Sequence, residues 1–226
     1  MRVGRVRPTR ERTVPMTTSH FRGDFMSVSL TKGQKISLSK EAAGVNRLMV
    51  GLGWDPVAQG SKGILGSLFG SGAQDIDCDA SAIMLNGDGK LTSTENVVYF
   101  GRLKSKDGSI QHMGDNLTGD GDGDDEQISV DLERVPESVH RIAFVVNIYD
   151  CVKRKQNFGM LQNAFIRIVD AGKGTEILRY DLAEKFDMKT ALIAGEIYRN
   201  NGEWKFSAIG EGTNDGSLTD LVKRYK

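Results

Sequence analysis

The stretch Gly114-Asp-Asn-Leu-Thr-Gly-Asp-Gly-Asp-Gly-Asp-Asp-Glu126 limits the chain more than any other. Six carboxylates fall between positions 115 and 126, and no Lys or Arg occurs from 109 to 133. Crowded acids repel one another unless a cation sits among them. Hard divalent ions, calcium above all, take about six to eight oxygens from Asp, Glu, Asn and backbone carbonyls. Gly residues between the acids permit the positive φ angles that turn successive oxygens inward. A solvated acidic loop is the plain alternative. The regular alternation of Gly with Asp, running straight into a strand pattern, favours a metal-binding loop.

The EF-hand pattern does not fit. Starting at Asn116, oxygens fall at positions one, three and five, and Gly121 at six, but position twelve is Gln127 instead of Glu. The flanks also alternate with period two, so the loop is expected between strands. A second set of oxygens comes from Asp75-Ile-Asp77-Cys-Asp79, where alternation puts three acids on one strand face. Like charges on one strand face destabilise it unless a cation takes them up. Loop and ladder together supply oxygens for two ions.

Period-two patterns recur along the chain. Two short edge strands are expected around Lys32-Gly33, and a central strand over 47–56 that Pro56 ends. Strands are also expected over 96–100, 127–132, 164–169 and 176–182, and a core strand over 141–149. A short helix or turn is expected over 154–163. Asn200-Asn-Gly202 reads as a type I′ hairpin turn, and Ser217-Leu-Thr-Asp220 as the cap of a terminal helix. About ten strands, with helix only at the margins, predict an all-β, two-sheet β-sandwich with minor helices, including a short C-terminal one. The acidic loop would sit at its rim.

Residues 1–25 carry six Arg against Glu11 and Asp24 and lack hydrophobic periodicity, so they are expected as a disordered basic arm ahead of a 26–226 domain. Net charge over the 226 residues is zero, which argues against nucleic acid as a partner. No run of about 18 apolar residues marks a transmembrane helix. The Gly/Ser-rich stretch 59–74 carries Ile64, Leu65, Leu68 and Phe69, a surface loop that could also touch a partner or a membrane surface. Cys78 and Cys151 form no CxxC and fall in apolar patterns, so they are expected as buried free thiols in a reducing compartment.

The segments Ser27-Val-Ser-Leu-Thr-Lys-Gly, Gly51-Leu-Gly-Trp-Asp55, Ile76-Asp-Cys-Asp-Ala-Ser-Ala82, 114–126, Asn163-Ala-Phe-Ile-Arg167 and Gly202-Glu-Trp-Lys-Phe206 together resemble the TerD family of tellurite-resistance and general stress proteins. The resemblance implies a cytoplasmic, bacterial β-sandwich that binds calcium, often two ions, with no established catalytic activity. It implies ligands among Asp77, Asp79, Asp115, Asn116, Gly119, Asp120, Gly121, Asp122, Gly123, Asp124, Asp125 and Glu126. The 1–25 arm and the 59–74 insert are not expected in the family pattern. The expected function is a calcium-binding stress-response module whose metal orders a surface for protein partners. The alternative is a carboxylate-based two-metal hydrolase of phosphate esters. Against it, the acidic segments contain no His, and GxSxG, Walker and HExxH patterns do not occur. His112 beside the loop reads as a bystander. Direct oxyanion chemistry is disfavoured by the acidic sign of the site.

Overall fold

The computed structural model describes residues 27–57, 76–114, 123–182 and 184–226. The basic arm, the 59–74 insert and the candidate ligands Asp115, Asn116, Gly119, Asp120, Gly121 and Asp122 lie outside the described residues.

Twelve strands among the described residues form two six-stranded sheets. The first sheet runs in the order β1 (Val28–Leu30), β10 (Glu176–Asp181), β9 (Leu161–Asp170), β3 (Arg47–Pro56), β7 (Glu126–Asp131), β6 (Ile110–His112). The second runs β2 (Lys35–Ser37), β12 (Glu203–Thr213), β11 (Ala191–Asn200), β8 (Arg141–Ile148), β4 (Cys78–Leu85), β5 (Val97–Val98). The two short strands flanking Gly33 are edge strands, as expected, and they enter opposite sheets. Gly33 turns the chain between them with a φ of +79°.

The sheets pack face to face. On β3, Leu48, Val50, Leu52 and Trp54 point into the core, as period two requires. Phe144 of β8 and Phe206 of β12 are fully buried there. The first sheet alternates along β7, with Ile128 and Val130 buried and their neighbours half-buried, because its outer face meets water. The second sheet differs. All eight residues of β4 and seven of eight in β8 are buried. The cause is the C-terminal helix α3 (Leu218–Val222), whose Leu221 and Val222 cover Ile83, Leu85, Val97, Val145 and Ile193 on the outer face. Each such side chain removed from water contributes about 1.5–3 kcal/mol.

Local chemistry follows the sequence at both marked turns. Asn201 and Gly202 have φ of 52° and 78°, the type I′ geometry that matches strand twist. Ser217 Oγ accepts from Asp220 N at 3.2 Å and caps α3. Two expectations change, and one element is added. The 96–100 strand shrinks to two residues, since Tyr99 N and Arg102 N exchange hydrogen bonds in a local turn instead of extending the ladder. The helix expected within 154–163 begins earlier, as α2 (Cys151–Arg154), and a single 3-10 turn follows at Phe158–Met160. A further short helix, α1 (Leu38–Glu41), buries Leu38.

Candidate metal centre

The acidic ladder is shorter than alternation predicts. β4 begins at Cys78, so Asp77 precedes it, and Asp75 lies outside the described residues. Cys78, Ala80, Ala82 and Met84 face the inter-sheet core. Asp79 therefore faces outward, with Ser81, Ile83 and Leu85. It is 4% exposed. Its register partner on β8 is Asn147, whose Nδ2 donates to Asp79 Oδ2 at 3.3 Å. Both line a cleft of about 620 Å³ whose other walls include Tyr99, Tyr149 and Leu218.

Two buried oxygens on this face lack a donor among the described residues, Asn147 Oδ1 and Ser81 Oγ. A buried polar oxygen left unpaired costs about 1–3 kcal/mol, so such atoms point to a ligand, an ion or water. Asp77 meets α2 instead. Its Oδ2 lies 3.8 Å from Arg154 Nη1, and its carbonyl accepts from Tyr149 N at 2.7 Å.

The described end of the acidic segment divides three ways. Gly123 takes a φ of +128°, a conformation other residues rarely adopt. Asp124 is expected among the metal ligands, but the structure turns it onto the outer face of the first sheet. There Arg167 Nε reaches its Oδ1 at 2.7 Å and Nη2 its Oδ2 at 3.1 Å, while Gln127 Nε2 donates at 3.0 Å. A bidentate guanidinium meets the charge of this carboxylate as a cation would. Gly51 makes the room, since a Cβ there would lie 2.2 Å from the Asp124 carboxylate. The hydrogen bonds Arg167 donates to Asp124, and then to Glu176, raise its pKa above the ordinary value.

Asp125 Oδ2 accepts from Trp54 N at 2.7 Å. Glu126 turns into the core, 1% exposed, and its Oε2 accepts from Ala80 N at 2.6 Å. That bond joins the first sheet to the second, one residue from Asp79. His112 Nε2 lies 3.1 Å from the same oxygen. His112 is wholly buried.

Asp77 and Asp79 flank Cys78 in sequence, and Glu126 reaches the Ala80 amide two residues on. Burial pushes the Cys78 thiol well up, and the charges of Asp79, Asp77, Glu126 and Asp125 push it further. Both cysteines are free and buried. Among the described residues, no three His, Cys, Asp or Glu side chains stand close enough to hold a metal by themselves. The donors that are present (carboxylates and an amide oxygen) have the hard oxygen chemistry that suits calcium.

A family model described as the TerD domain matches residues 26–225. The match starts where the basic arm ends and runs across 59–74. Stress response protein SCP2 of Bacillus subtilis (strain 168) is 57% identical over 200 residues, which are 88% of this chain and 100% of that protein. Tellurium resistance protein TerD of Serratia marcescens is 47% identical over 200 residues, 88% of this chain and 97% of that one. The crystal structure of a homologue of telluride resistance protein (TerD) from Streptomyces coelicolor A3(2) aligns with a TM-score of 0.55 at 22% identity, over 78% of this chain and 98% of that one. At that identity it speaks for the fold alone.

Proposed function

We propose that this chain, which belongs to the TerD domain family, is a calcium-binding stress-response module of the tellurite-resistance type. Two calcium ions would be held by Asp77, Asp79, Asp125 and Glu126 with the oxygens of residues 115–122. The observation that carries the reading is the buried, unpaired Asn147 Oδ1 on the residue whose Nδ2 donates to Asp79, one residue from the Ala80 amide that holds Glu126. Bound calcium would neutralise the clustered carboxylates. The chain's own part is to hold Glu126 against Ala80 and Asp125 against the Trp54 amide, so the donor groups are in place before an ion arrives.

The module is proposed as a cytoplasmic binding protein, not an enzyme, whose ordered rim serves protein partners of a stress system. Among the described residues no helix is long and apolar enough to cross a membrane. The names of its relatives speak of stress response and tellurium resistance, and the same physiological setting is proposed here.

Calorimetric titration of chelator-stripped protein with calcium, in magnesium buffer, tests the reading. One or two sites at micromolar affinity or tighter are expected, with a melting shift that follows RT ln(1 + [L]/Kd). Asp79→Ala and Asp77→Ala should lose most of that shift. No heat and no shift would sink the calcium reading. Turnover of a phosphate ester by the metal-loaded chain would replace it with the hydrolase.

A further inference from the structure

We infer that His112 is a positioning residue for the ion site, an assignment that rests on the calcium reading above. β6 alternates, so Ile110 and His112 both point inward and the imidazole is completely buried. Gly114 N donates to its Nδ1 at 3.2 Å. Nδ1 therefore carries no proton, and Nε2 carries the ring's single hydrogen. That hydrogen faces Glu126 Oε2 at 3.1 Å. The contact is a hydrogen bond from a neutral ring to a carboxylate.

One imidazole thus holds the residue that enters the acidic segment, Gly114, and the residue that leaves it, Glu126. Met113 N, which donates to Gln127 O at 2.9 Å, closes the same neck in the backbone. Glu126 Oε2 takes the His112 donor and the Ala80 amide together, so the ring orients the carboxylate that spans the two sheets next to Asp79. Partners that orient ligating carboxylates in this way typically change metal affinity by about 10- to 100-fold when removed.

Two conservative variants separate the ring's two nitrogens. Gln at 112 can present its amide N–H where Nε2 stood; Asn can present its amide oxygen where Nδ1 stood. The test uses the full chain, stripped of metal and titrated with calcium alone. His112→Leu should lose about 10- to 100-fold in affinity, and His112→Gln should recover most of it. In calcium-free protein, amide exchange should quicken at Ala80 in the Leu and Asn variants, and at Gly114 in the Leu and Gln variants. Nitrogen NMR of the unmodified chain should report the Nε2–H tautomer, a readout that needs no variant to fold. A ring protonated at Nδ1 instead would overturn the assignment, as would a Leu variant that binds calcium like the parent. If the parent takes up no calcium at all, the calcium reading itself fails, and the assignment with it.

Discussion

The ion pair of Asp124 and Arg167 makes the sharpest prediction, because its two ends sit in different solvents. The Asp124 side chain is 1% exposed and the Arg167 side chain 29%. Arg167→Met would leave a sealed carboxylate with Gln127 Nε2 at 3.0 Å as its remaining side-chain donor in the described structure. Removing one partner of a fully buried pair costs about 3–5 kcal/mol, and the wet edge of this one places the expected loss near 3 kcal/mol. Asp124→Asn leaves a guanidinium that still meets Glu176 at 3.2 Å and water, so it should cost only about 1 kcal/mol. The double variant should fall well short of the sum, with a coupling of about 2 kcal/mol. Urea unfolding in chelator measures all three without any contribution from bound ions. Equal losses for the two single variants, or a larger one for Asp124→Asn, would refute the asymmetry. The same Asn variant should keep its calcium affinity, whereas a ligand or its orienting partner would lose about 10- to 100-fold.

Gly51→Ala drives a Cβ to 2.2 Å from the Asp124 carboxylate and should cost about 1–3 kcal/mol by urea unfolding, most of it absent when Asp124 is already Ala. Tyr225 should ionise at about 12 instead of near 10, because burial first, and then Glu196 and Glu211, disfavour the phenolate. A folded pKa above the unfolded one means its stabilisation is complete below pH 10 and drains away between pH 10 and 12. Urea midpoints should fall across that window and fall less in Tyr225→Phe. Ser217→Ala removes the α3 cap at Asp220 N and should cost about 1 kcal/mol, read as faster amide exchange at Asp220 and Leu221.

The sandwich was legible because its signals are local. Alternation marked β7, apolar runs marked β3 and β8 as central, and Asn201-Gly202 marked the last hairpin through a backbone conformation few other residues accept. Which side of an alternation is the wet side is not local. Nothing in the spacing said that α3 would cover Ile83 and Leu85 on the outer face of β4, or that Asp79 on the same strand would be buried. His112 had a readable signal, since it shares the parity of Ile110, yet its worth depends on a carboxylate fourteen residues on that turns inward to meet it. Asp124 and Glu126 have the same parity and similar chemistry in the sequence. They end on opposite faces of the first sheet, because the backbone turns at Gly123 and Asp125, and because Arg167 waits on one side and Ala80 N on the other. Period and turn chemistry fix the strands one at a time; partners brought from other strands decide which acid becomes a strut and which an ion pair.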